Sequence, residues 1–252
     1  MSKLSSPSVL VPALLAVAGL LSPTLALADW TGKGEAGMVL ANGNTEARNA
    51  NAKLELATTL EQWKHSVGVA AIYASTDDLT TGQRWELYGQ SDYNFSERDF
   101  WFGAARYEDD RFSGFEYQAT LSTGVGRRFI DQDRTKFTGT AGVGYKFFET
   151  RDAVDDATGA LLSEGDTDSQ AVFRGTLDFS HDITDTTQVL DQFLVESGSE
   201  NTFVQNDIGV KVKMTEVLAL AAAYSVRYNS HPPTGFRKTD TLTTLNLVYE
   251  IR

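Results

Sequence analysis

Ionisable side chains recur on one parity of a two-residue alternation through most of this chain, and they are the groups most able to do chemistry. By that parity Lys33, Lys53, Arg106, Arg128, Lys146, Arg174, Lys211, Lys213 and Arg227, nine cations, share one face with ten anions: Glu35, Glu55, Glu86, Asp92, Glu108, Glu116, Asp178, Glu196, Asp207 and Glu250. A charge surrounded by protein is costly unless paired, so so balanced a set favours ion pairs and hydrogen bonds across a polar interior. The chemistry expected of it is weakly selective passage or binding, not bond cleavage. Catalytic constellations are poorly supported. His65 and His181 fall near predicted turns, and His231 stands beside Pro232 and Pro233. Ser180-His181-Asp182 has the residue types of a hydrolase, but adjacent residues of a strand point to opposite faces.

Other short motifs read as structure. Asn42-Gly43 is a two-residue hairpin signal, because both residue types tolerate the positive φ of turns that match strand twist. Gly124-x-Gly126 and Gly142-x-Gly144 resemble fragments of a phosphate loop but lack the following helix and Lys-Ser/Thr. Their expected role is to admit bulky neighbours or curvature in a sheet. The stretch 150–168 carries Asp152, Asp155, Asp156, Glu164, Asp166 and Asp168. That is enough oxygen for a divalent ion in principle, with a bridge to lipopolysaccharide phosphates as the use it would serve. The spacing matches no calcium loop, so a solvated loop is expected, with no metal and no cofactor.

The elements that must position these groups are strands. Apolar and polar residues alternate in stretches of roughly ten residues, the dyad signature of a transmembrane β-barrel. In the last stretch Leu245, Leu247, Tyr249 and Ile251 share one parity, and Thr244, Asn246, Val248 and Glu250 the other. The pattern predicts twelve strands, over 30–41, 48–60, 65–75, 84–95, 100–109, 115–129, 136–148, 169–181, 187–196, 203–214, 217–228 and 237–251. Short polar turns alternate with longer, more varied loops, which places the turns and both termini in the periplasm. Aromatic residues such as Trp30, Trp63, Trp101, Phe129 and Tyr249 gather toward strand ends, as in the two interfacial girdles of such a barrel. A soluble β-sandwich would alternate similarly, but this polar parity holds too much charge for a dry core.

The ends and the composition agree. Residues 1–28 read as a cleaved signal peptide, with Lys3, an apolar stretch over 9–21 and a small-residue site at Ala26-Leu27-Ala28; 29–252 is then a single barrel domain. No later segment approaches the roughly 18 consecutive apolar residues of a spanning helix. Removing Lys3 takes the net charge from −12 to −13, which argues against nucleic acid as a partner. With no cysteine, disulfides, thiolate metal sites and a lipidated N-terminus are excluded. Of five prolines only Pro232 and Pro233 lie beyond residue 28, as expected when nearly every N–H belongs to a strand ladder.

The opening Gly34-Glu35-Ala36-Gly37, the hairpin Gly43, Asn44 and Thr45 with its alternating second strand, Gly124-Val125-Gly126-Arg127 and the ending Leu247-Val248-Tyr249-Glu250-Ile251 together resemble the salt-induced outer membrane protein family. The resemblance implies an outer-membrane location and induction under salt or related stress, and it implies no reaction. One departure is the end of the chain, where Ile251-Arg252 replaces the aromatic residue that the barrel assembly machinery usually reads. The expectation is therefore an all-β, antiparallel up-and-down barrel in the outer membrane of a Gram-negative bacterium. It is expected to be monomeric, with outer-membrane lipid, lipopolysaccharide and that machinery as partners. A narrow passive channel for small solutes or ions is the leading function. A non-conducting envelope barrel or surface-binding protein is the alternative, and a lipid hydrolase is disfavoured.

Overall fold

The computed structural model describes residues 29–41, 47–77, 79–111, 113–154, 161–233 and 236–251. The signal segment and the hairpin Gly43, Asn44 and Thr45 lie outside the described residues. Fourteen strands follow in order: β1 (Thr31–Ala41), β2 (Ala47–Leu60), β3 (Trp63–Thr76), β4 (Leu79–Asn94), β5 (Asp99–Asp110), β6 (Phe115–Asp131), β7 (Thr135–Thr150), β8 (Ala153–Val154), β9 (Leu161–Ser163), β10 (Thr167–Asp182), β11 (Thr187–Gly198), β12 (Thr202–Lys213), β13 (Leu218–Asn229) and β14 (Thr239–Ile251). Twelve of them close into one barrel, each paired antiparallel with its chain neighbour, and β1 seals against β14 from Gly32↔Ile251 to Ala36↔Leu247. The short pair β8–β9 stands apart in the β7–β10 connection, where the alternation alone suggested only a loop.

Closure explains why alternation is so persistent: with no free edge, each strand has one face outward and one inward along its whole length. On β14 Leu245, Leu247 and Tyr249 are exposed, whereas Asn246 and Val248 between them are buried. Aromatic rings collect at two levels of the outer wall. Trp63 packs on Tyr93 at 5.1 Å and Phe129 on Phe137 at 5.4 Å near the short turns. Trp85 and Tyr107 lie 5.1 Å apart, and Tyr145 and Phe147 5.0 Å apart, nearer the long loops. These are the levels at which amphipathic rings favour a headgroup region.

Three irregularities among the described barrel strands interrupt the two-residue rule, one at Ala74/Ser75 between β3 and β4 and two on β6. On β6 the register shifts between Phe115 and Tyr117 and again between Arg128 and Ile130, so one extra residue bulges at each end of the strand. The first bulge turns Phe115 inward, onto Phe148 at 5.6 Å. It also carries Glu116 out of the lumen, where alternation had placed it: the side chain is exposed and paired with Arg151 at 2.5 Å.

Candidate functional site: the lumen

The inward face divides into two regions. Toward the long loops lies a packed layer built from β5, β6, β7, β11, β12 and β13. Phe203 and Glu108 are completely shielded at its centre. Three cations surround the Phe203 ring, with Arg106 at 5.3 Å, Lys146 at 5.3 Å and Arg227 at 5.0 Å from its centroid. All lie within the roughly 6 Å over which a ring face attracts a cation. Each cation also has a carboxylate. Arg227 grips Glu108 through two contacts of 2.6 and 2.7 Å and reaches Asp110 at 3.1 Å. Arg106 bonds Glu108 and, at 3.0 Å, Glu86. Lys146 meets Glu196 at 3.3 Å. Phe115, Phe148, Gln118 and Thr120 fill the remainder of the layer.

Below that layer opens a chamber of about 670 Å³. Its lining runs down to Lys64, Asp92 and Arg128, near the short-turn rim, and includes none of Phe203, Glu108, Lys146 and Arg227. One wall is an ion-pair chain: Lys33 bridges Glu35 and Glu55 at 3.0 Å each, Lys53 meets Glu55 at 3.2 Å, and the Tyr88 hydroxyl donates to Glu55 at 2.7 Å. Asn51 donates to Asn246 and Asn246 to Glu35, which extends the chain across the β1–β14 seam. Lys211 and Glu250 pair at 2.7 Å nearby. Glu86 and Glu196 also line the chamber, held by Arg106 and Lys146, and three further carboxylates are held by amides. Gln90 donates to Asp92 at 2.8 Å, Gln192 to Asp178 at 3.2 Å and Gln205 to Asp207 at 2.6 Å. Arg128 lies over Phe100 at 4.9 Å and donates to Asn94, and Arg174 lies over Phe102 at 5.7 Å.

The glycines set opposite these rings make the packing possible. A Cβ on Gly126 would enter the Phe100 ring, and one on Gly142 would lie 2.9 Å from Cζ of Phe102. One glycine of each Gly-x-Gly pair thus gives room to a lumen aromatic, while Gly124 and Gly144 lie against the neighbouring strand.

A family model described as "Protein of unknown function, DUF481" matches residues 34–251. The chain belongs to this family. Its relative YdiY, an uncharacterized protein of Escherichia coli (strain K12), is 25% identical over 234 residues, covering 91% of this chain and 86% of that protein. Among solved structures, the translocator domain of autotransporter NalP from Neisseria meningitidis has a TM-score of 0.51 at 13% identity, covering 97% of this chain and 98% of that one. The NanC porin has a TM-score of 0.49 at 9% identity, with 89% and 100% covered. What the NalP likeness establishes is the fold, that of an outer-membrane β-barrel. The family match names no stress and no salt response.

Within this DUF481 barrel the parity residues do not form one continuous array. Arg106, Glu108, Lys146, Glu196 and Arg227 meet in the packed layer, whereas Lys33, Glu35, Lys53, Glu55, Lys211 and Glu250 meet on the chamber wall. Glu86, Arg106 and Glu196 join the two regions, since all three line the chamber while pairing with one another or with Lys146 of the layer. Lys213 stands exposed at the end of β12 and Glu116 lies outside. Arg84 and Lys64, which the parity list omits, line the chamber. Arg84 was findable, because it shares the parity of Glu86. Phe102 and Phe203 gave no comparable signal: an inward aromatic looks in sequence like one aimed at lipid.

Each histidine has its Nδ1 near a hydroxyl: His65 by Ser91 at 2.9 Å, His181 by Thr135 at 2.9 Å and His231 by Ser230 at 3.0 Å. In a hydrolytic triad Nδ1 faces the orienting carboxylate and Nε2 the nucleophile, the reverse of this arrangement. In the acidic connection, Asp155 and Asp156 lie outside the described residues. Asp152 accepts the Gly165 amide at 2.7 Å, which ties the two arms of the loop, and Asp168, at the start of β10, accepts that of Ser169 at 2.6 Å.

Proposed function

We propose that this chain is a narrow passive channel for small solutes or ions in the outer membrane of a Gram-negative bacterium, closed at rest by the packed layer around Phe203. The observation that carries this reading is the charge-lined chamber of about 670 Å³ beneath that layer. A barrel with a purely mechanical role would be stabilised by filling the space, since protein interiors pack as densely as organic crystals. With cations and anions nearly balanced on the lining, passage should be weakly ion-selective.

The orientation follows from the connections. Short turns and both strand termini share one rim, which in such barrels faces the periplasm, so the packed layer faces outward and the chamber inward. Export through a signal over residues 1–28 fits this placement, as do a monomeric state and insertion by the assembly machinery among lipid and lipopolysaccharide. The link to salt or envelope stress rests on the family resemblance alone. No catalytic step is part of the proposal.

Planar-bilayer recording of the refolded barrel tests it. Small, infrequent conductance steps are expected for the wild type, and more frequent ones when the layer is broken by Glu108→Ala. If both proteins stay silent across a range of salt and voltage, the channel is lost. The reading then favoured is the non-conducting envelope barrel, which the complete burial of Phe203 and Glu108 supports.

A further inference from the structure

Two polar atoms at the top of the chamber are buried without a hydrogen-bonding partner, and they are of opposite kind. Nη1 of Arg174 is a donor with nothing to donate to, and Oε1 of Glu196 is an acceptor with nothing to accept. The residues are register partners on β10 and β11, Arg174↔Glu196, so both side chains leave neighbouring strands toward the same space. Both residues belong to the chamber lining, with the two orphan atoms themselves shielded just behind its surface. Each is held by other contacts: Glu196 uses Oε2 for Lys146 and Thr120, and Arg174 is laid over the Phe102 ring. A buried polar group left unpaired is costly, more so if it is charged, so an orphan donor and acceptor side by side are stabilised by a third group that bonds to both.

We infer that the Arg174–Glu196 pair is a binding subsite for a hydroxyl of a neutral, polyhydroxylated solute that reaches the chamber from the short-turn rim. A hydroxyl oxygen accepts from Nη1 while its hydrogen is given to Oε1, which satisfies both atoms at once. A carboxylate satisfies only the arginine and is repelled by Glu196; an ammonium satisfies only the glutamate and is repelled by Arg174. The surroundings favour several hydroxyls over one. Thr140 and Thr176, hydrogen-bonded to each other at 2.7 Å, and Gln192 line the chamber, and all three can both donate and accept. The volume lies within the range of about 300–1,000 Å³ seen for small-molecule sites. The inference rests on the chamber but not on conduction. It names what the proposed channel would hold.

Calorimetric titration of the refolded barrel in detergent micelles, with D-glucose, glycerol, acetate and methylammonium as probes, tests it. Glucose should bind more tightly than glycerol, and both more tightly than either ion. Arg174→Leu should weaken glucose at least tenfold while the heat-dependent gel mobility of a folded barrel is kept. Should that variant not fold, Arg174→Lys keeps the cation but not the fork and should weaken glucose by a similar factor. Acetate binding as well as glucose makes this an anion site and overturns the inference. No heat with either polyol leaves water as the bridging oxygen and overturns it too. Glucose binding without conductance steps would sink the channel and spare the subsite; conductance without binding would do the reverse.

Discussion

The packed layer and the chamber draw on the same residue types and spend them differently. In the layer, Arg106, Lys146 and Arg227 each touch a carboxylate and the same phenylalanine, and Glu108 is shared by two guanidinium groups. In the chamber, Asp92, Asp178 and Asp207 are instead held by glutamine amides, and Arg174 keeps one nitrogen unbonded. The difference follows from water. A charge beyond solvent is stabilised by an opposite charge, while a carboxylate that lines an open space is solvated and needs only an amide to orient it. Ion pairing therefore dominates where the barrel is closed, although Nε of Arg227 and Oε1 of Gln118 are without partners there.

The strongest way to break this contrast is Glu108→Ala. It leaves Arg106 and Arg227 facing each other without their common anion, and removing one partner of a buried pair costs about 3–5 kcal/mol. Denaturant unfolding from lipid vesicles should show that loss, together with the rise in conductance. A smaller effect is expected from Leu121→Arg on the outer wall, where Leu121 is 52% exposed. A guanidinium near the bilayer midplane costs about 2–4 kcal/mol. Because this change touches neither lumen region, conductance of the inserted fraction should stay at the wild-type level. The smallest effect belongs to the chamber. Asp207→Asn keeps the shape and the Gln205 contact, so stability should move by less than about 0.5 kcal/mol. Reversal potentials in a salt gradient should shift toward anions. A stability loss as large as that of Glu108→Ala would mean that the two regions do not differ as argued.

Much of the architecture is legible in the residues themselves. The strand expected over 115–129 is β6 (Phe115–Asp131), and the one over 187–196 is β11 (Thr187–Gly198), although both parities of the latter contain apolar residues. Boundaries were missed by a few residues where ladders run into the turns: β4 begins at Leu79 instead of residue 84. Its pairing with β3 shifts register between Ala74 and Ser75, an irregularity the alternation does not announce.

What the chain determined alone is what repeats locally: the two-residue period, the number of strands in the barrel wall and the rim on which the ends lie. These need only a strand's own geometry and the need to satisfy backbone groups away from water. Closure decided the rest. Glu108 meets Arg227 although 119 positions separate them, because both lie in the long-loop half of the wall and project into the same lumen. The bulge that expels Glu116 and turns Phe115 inward, the three cations on Phe203 and the orphan pair of Arg174 and Glu196 depend on register and stagger around the ring. Those are properties of twelve strands taken together, and no single strand encodes them.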